Sequence, residues 1–395
     1  MRALLLLLFV LSGLPAVRGQ VNFVQGNLRT PFNQAKAGNK LVFIEVYSPT
    51  CHICESFIPT FQNAEVGKAF NTNFVSYKLD VNTAEAQSFL AKQHLVIPSL
   101  PIFLFFDPNV KLLHAQNSPN SVKDIIAVAK NAVSAKLRAS NYTSRFRSGD
   151  RNADFLADYA YYSRIVKDTA ANIQAVNAYA KSVSNYTDPV SFALIQKAML
   201  DAENPLFEYF VKHIADYRKG RDAKEIQTAG ETVVMSTLYS SRGSRMSSER
   251  ITRLGSYLAT LGLDKKTVEN RTLIPELNAY IRAGQWNKVP ARVDRYIKSA
   301  SPGIDEYRFI GKYLAAKAKD KTILLQAAGL LMQAAQRMPG NITEKANLQS
   351  EAAQTYKRIG NKAEAIRLAQ MAVQTAKAGR FSAIPYEKIL KEVSK

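Results

Sequence analysis

The sequence predicts an α/β domain, a mixed central sheet with helices on both faces, followed by an all-α helical-hairpin or repeat domain. Three observations predict it. Residues 20–138 alternate dense β-branched and aromatic runs with segments of helical spacing. Beyond residue 153 strand alternation disappears, and Ala, Leu, Tyr, Lys and Gln recur at the helical period. Residues 139–152 between them form a polar, basic stretch that reads as a linker. A length of 395 residues suits two or three domains, and 47% hydrophobic residues supply ample core.

In chain order, Val21–Val24 reads as a short strand and Leu28–Ala37 as a first helix. Leu41–Tyr47 is a β-branched and aromatic run, hence a buried central strand. Cys51 to about Phe70 reads as a helix, Asn73–Leu79 as a strand and Ala84–Gln93 as a helix. Ile102–Phe106 and Lys111–Leu113 read as a closing pair of strands around the turn residues Asp107-Pro108-Asn109. Ser121 is a suitable N-cap for a last amphipathic helix to Leu137.

The N-terminus has the pattern of a secretory signal over residues 1–19. Arg2 precedes the apolar run Ala3–Leu11, and Val17-Arg18-Gly19 closes it. That run is too short to span a bilayer, and no later stretch is long and apolar enough to do so. The expectation is an exported protein without an integral membrane segment, periplasmic or extracellular, in a host whose style reads as bacterial. Net charge is +21, and removing Arg2 and Arg18 leaves 21 − 2 = +19. The cations are spread along the chain, which fits a basic solvated surface or attraction to an acidic partner or envelope. No nucleic-acid motif accompanies them. Sequons begin at Asn141, Asn185, Asn270 and Asn341 and matter only in a glycosylating host.

Cys51 and Cys54 are the chain's two cysteines, in Ser48-Pro49-Thr50-Cys51-His52-Ile53-Cys54. With no second pair to staple the fold, the spacing favours redox chemistry. A first cysteine at a strand-to-helix junction meets free N–H groups and the helix dipole, which stabilise the attacking thiolate. The second, one turn on, is placed to resolve a mixed disulfide. His52 between them could add a positive charge or a donor. A zinc site needs more ligands than these, and the remaining histidines, His94, His114 and His213, have no paired spacing. A structural local disulfide stays open as an alternative. No metal or organic cofactor is expected, and electrons would come from partner dithiols.

Residues 20–138 resemble thioredoxin. Cys51 and Cys54 match the active-site pair, and Pro59 falls where that family kinks its helix. Glu45, six residues before Cys51, matches the buried acid that helps proton transfer, and Lys78 sits where a lysine often pairs with it. Leu100-Pro101 before Ile102–Phe106 matches the cis-proline that presents backbone to substrate. The resemblance implies a thioredoxin fold and thiol-disulfide exchange with protein substrates. In it Cys51, Cys54 and Glu45 carry the chemistry, His52 and Lys78 modulate it, and Leu100 and Pro101 bind substrate. The chain departs from the family at Tyr47 and Thr50, in the His-Ile dipeptide, in Glu45 for Asp, in Pro98-Ser99, and near Ser118, where a late glycine is lacking. These departures leave the redox potential and the substrate surface open.

In the helical part, Ala279–Val289 reads as helix, glycine turn, helix. Tyr356–Ile366 with Ala369 and Ala372 does so more clearly, and Met338-Pro339-Gly340 closes a preceding pair. These segments resemble tetratricopeptide repeats, most evidently over 273–378. A generic stack of α-hairpins is the alternative, and in either case neighbouring hairpins bury one another's apolar faces. The expected function is an exported thiol-disulfide oxidoreductase with a redox partner protein and a helical domain (153–395) that binds a protein partner. The rival is a non-catalytic scaffold of the cell envelope that works through its helices.

Overall fold

The structure, a computed structural model, describes residues 19–395. The expected signal segment lies outside the described residues, Gly19 excepted. The chain divides into two compact units between Phe210 and Val211.

The first unit opens with helix α1 (Arg29–Gly38) and strand β1 (Leu41–Tyr47). Three short helices follow, α2 (His52–Ser56), α3 (Ile58–Gln62) and α4 (Ala64–Asn73). Then come β2 (Phe74–Asp80), α5 (Ala84–Lys92), β3 (Ile102–Phe106), β4 (Leu112–Gln116) and α6 (Val122–Val133). The strands form one mixed sheet in the order β2-β1-β3-β4. β1 runs parallel to β2 and antiparallel to β3, and β3 is antiparallel to β4. Val21–Val24 does not form a strand; it contributes one parallel bridge, Phe23 to Ser76.

Both faces of the sheet are buried because successive residues of β1 and β3 are apolar whichever way they point. On one face Phe43, Phe61, Phe70, Phe103 and Phe105 pack together with α6 residues Ile125 and Val128. On the other, Phe106 lies edge-on to Phe32 of α1 and Phe89 of α5. The expected single helix over 51–70 is broken twice. Pro59 lies in the first turn of α3 and has no N–H to donate. Asn63 then turns extended, and its side chain accepts the Glu65 and Val66 N–H groups to start α4.

The stretch 139–152, expected to be a linker, is structured. Ala139–Asn141 forms a 3-10 turn and Tyr142–Arg147 forms helix α7. The Ala139 N–H donates to His114 Nδ1 at 3.0 Å, and His114 Nε2 lies 3.1 Å from Gln116 Oε1. Nδ1 therefore accepts and Nε2 donates, which fixes a neutral imidazole. Burial holds that ring's pKa down at about 4. Helices α8 (Ala153–Ile165), α9 (Thr169–Ser182) and α10 (Pro189–Lys197) follow in the same unit. α8 packs against β4, and the Val96 N–H donates to the Ile165 carbonyl.

The second unit is a succession of helices, with no strand among the described residues. Ile304–Lys317, Lys321–Arg337, Thr343–Ile359 and Lys362–Ala378 each pack on the next. Alanines at 327, 328, 334, 335, 352, 353, 365 and 369 are buried between them, and such small side chains permit close approach. Gly360 takes the left-handed conformation that ends one helix before the next starts. At Gly311 a Cβ would come within 2.9 Å of Leu331 Cγ, so the helix contact itself demands glycine. Arg292 is buried and bridges Glu269 and Glu276.

Candidate active site

Strand register collects the candidate residues at one end of the sheet. Tyr47, the last residue of β1, pairs with Asp80, the last of β2. Val46 pairs with Ile102, the first residue of β3, and Phe103 with Gln116, the last of β4. The Ser48–Cys51 turn, the Leu100–Pro101 peptide and the 117–120 loop therefore all leave the sheet at the same end.

Cys51 and Cys54 form a disulfide with Cα atoms 5.2 Å apart. Cys51 is the N-cap of α2, and its Sγ accepts the Cys54 N–H at 3.2 Å. Cys51 is partly exposed and Cys54 is buried, so the first sulfur is the one open to attack. The turn before them is tied down: Ser48 Oγ accepts from Asn82 Nδ2 at 3.1 Å, and Asn82 is itself held by Asp80. His52 projects into solvent, with Nδ1 3.5 Å from Glu55 Oε2, rather than over the sulfurs.

Glu45 is fully buried within β1. The parallel register sets Lys78 beside it, with Nζ 3.1 Å from Oε2. Neither carboxylate oxygen accepts a well-aligned hydrogen bond, and Lys78 acts on Glu45 first through its charge. Burial pushes the Glu45 pKa up, and Lys78 opposes this less strongly. Lys78 also lies over the rings of Phe23 and Tyr47, at 5.0 and 5.5 Å. The Leu100–Pro101 peptide is cis.

Two features of this end of the sheet escape a reading of the sequence. Ser99 Oγ lies 2.9 Å from Tyr161 OH of α8, which ties the segment before Pro101 to the helices that follow. Asn120 donates to the Ser56 carbonyl at 2.6 Å and accepts from Thr60 Oγ1, which ties the loop after β4 to α2 and α3. Each pairing spans about sixty residues, and no local pattern signals it. Ile53, between the two cysteines, exposes an apolar side chain, as do Ile58 and Val96. Among the described residues no group of three or more His, Cys, Asp or Glu could hold a metal, and no helix is long and apolar enough to cross a membrane.

The arrangement is a small mixed sheet with a Cys-x-x-Cys pair at its end, followed by a large helical part. No family model matches the chain, and no curated protein matches it.

Proposed function

We propose that residues 20–138 adopt a thioredoxin-like fold and that the protein exchanges disulfides with polypeptide substrates through Cys51 and Cys54. The observation that carries this is the asymmetry of the pair, an accessible sulfur at a helix N-cap facing a backbone donor and a buried sulfur one turn on. The Cys54 N–H that meets Cys51 Sγ, together with the helix dipole, would favour the Cys51 thiolate.

In the reducing direction the Cys51 thiolate attacks one sulfur of a substrate disulfide. A Cys51–substrate bond forms, the substrate S–S bond breaks, and the released thiolate takes a proton from solvent. Cys54 then loses its proton, with Glu45 as the proposed acceptor, and attacks Cys51 Sγ. The second substrate thiolate leaves, so that two electrons have passed from the protein dithiol to the substrate. Oxidation of a substrate dithiol is the same sequence reversed. In this scheme Lys78 tunes Glu45, and Leu100 and Pro101 receive the substrate backbone. His52, turned toward Glu55, modulates from the rim. We place the exchange outside the cytoplasm, where a disulfide persists, and give the helical part, residues 153–395, the binding of a partner protein.

A reduced Cys54→Ser variant should trap a stable mixed disulfide with an unfolded, disulfide-bonded protein, visible on a non-reducing gel, whereas Cys51→Ser should trap none. No adduct with either variant, with biological activity intact in Cys51→Ser, would replace the exchange reading with a scaffold role. The potential of the pair, from alkylation across a graded dithiol/disulfide buffer, then sets direction: about −180 mV or higher points to oxidation or isomerisation, and about −270 mV or lower to reduction.

A further inference from the structure

A cavity of about 370 Å³ opens beside the disulfide end of the sheet, lined by Asn117–Pro119 and by α8 and α10. It touches both segments that flank the candidate site. Tyr161 lines it and holds Ser99, two residues before Pro101. Pro119 lines it and adjoins Asn120, which holds Ser56 in the helix begun by Cys51. The walls are largely apolar, from Pro119, Val190, Ala193 and Leu194, with one carboxyl, Asp158, and one ammonium, Lys197. Such a concave, mainly apolar space with few polar groups is how side-chain pockets are built.

We propose that this cavity selects the substrate of the disulfide site by receiving an uncharged, apolar side chain close in sequence to the reacting cysteine of an extended polypeptide. The inference rests on the exchange reading above. An extended chain advances about 3.3–3.6 Å per residue, so a segment crossing the Cys51 end of the sheet reaches a neighbouring wall within a few residues. Charged side chains of either sign are disfavoured. The cavity holds one group of each sign, Asp158 and Lys197, so it favours neither an acidic nor a basic side chain, and either one loses water against the apolar walls. Asp158 is itself suited to such contact: burial and the nearby Asp154 raise its pKa to about 7, against the opposing effect of Arg145, so it can shed its charge near neutrality. The helices after residue 152 would thus form part of the substrate site.

The test compares two disulfide-linked peptides of one sequence, with Phe or with Glu two positions from the cysteine, as substrates of the reduced full-length protein. The wild type should show a kcat/KM at least tenfold higher for the Phe peptide. Ala193→Trp and Val190→Trp, which fill the cavity from α10, should each bring the ratio of the two peptides to within about threefold. A wild type without preference, or a folded variant that keeps it, overturns the proposal. Circular dichroism identifies a variant that fails to fold, and the other then decides. A small aromatic disulfide, too short to reach the cavity, separates the two ideas. If the reduced wild type does not exchange even with that reagent, the exchange reading itself fails and this inference falls with it. If it does exchange and the peptides are not distinguished, only the cavity's role is lost.

Discussion

At Glu45 water has been stripped from a carboxylate whose neighbouring cation, Lys78, keeps a third of its side chain exposed. Removing hydration from the buried anion outweighs the ion pair at 3.1 Å, so the native state holds a proton on Glu45 to higher pH than the unfolded chain does. The native state then binds more protons than the unfolded one between the ordinary glutamate value and the raised one. Its stability must fall as pH rises through that window and level off above it. Glu45→Gln keeps the shape and removes the charge. Its unfolding temperature should match the wild type at pH 4, exceed it increasingly as pH rises, and then hold a constant margin. The same substitution should slow release of the mixed disulfide by roughly a hundredfold if the carboxylate takes the Cys54 proton. Stopped-flow single-turnover measurements check the second effect and calorimetry across pH the first. An unchanged release rate would reduce Glu45 to a structural acid. The spacing of Cys51, Cys54, Glu45 and Pro101 was legible in the sequence because it is local or follows from strand register. Ser99 with Tyr161 was not, because 62 positions separate them and only the folded chain brings them together.

Among the elements, β1 and β3 could be read directly, since runs such as Ile102–Phe106 have no polar face and must be buried on both sides. The helix from Cys51 is shorter than its apolar periodicity predicts. Periodicity continues through Phe57, Phe61 and Phe70, whereas Pro59 and Asn63 break the backbone without breaking the apolar pattern. Composition does not reveal the structure of the stretch 139–152. Its polar residues look like a linker, yet the backbone of Ala139 and the ring of Tyr142 are buried around His114. That contact makes a prediction about the β4 element. His114 is held neutral by burial, with its pKa down at about 4, whereas an unfolded histidine titrates near 6.5. A depressed folded value means that stability is fully present above about pH 6.5 and is lost as pH falls toward 4, by about 3 kcal/mol at most. Denaturant unfolding of the wild type and of His114→Asn should therefore converge as pH drops from 7 to 4, because the variant lacks the titrating ring. A constant difference across that range would show that His114 takes no part in acid destabilisation.

For the whole molecule the question is where the first folding unit ends. Composition changes near residue 139, but the compact unit continues to Phe210. The physical reason lies in what the first sheet leaves uncovered. β4 presents His114, whose Nδ1 is satisfied by the Ala139 N–H, and against it pack Tyr142 and then Phe155 and Tyr159. The segment leading to Pro101 is anchored on α8 through Val96 with Ile165 and Ser99 with Tyr161. A chain cut at 138 loses the His114 partner, about 1–3 kcal/mol for a buried unsatisfied group. It also loses the burial of large aromatic rings, about 1.5–3 kcal/mol for each side chain. Against a total stability of about 5–15 kcal/mol such losses are severe. A fragment of residues 20–212, ending with the helix Pro205–Lys212, should melt cooperatively and support the proposed disulfide exchange as the full chain does. A fragment of residues 20–138 should melt at least 10 °C lower or precipitate on heating. Thermal melts followed by circular dichroism decide between them. Equal melting of the two fragments would mean that the helices after residue 138 are supported by the sheet without supporting it in return.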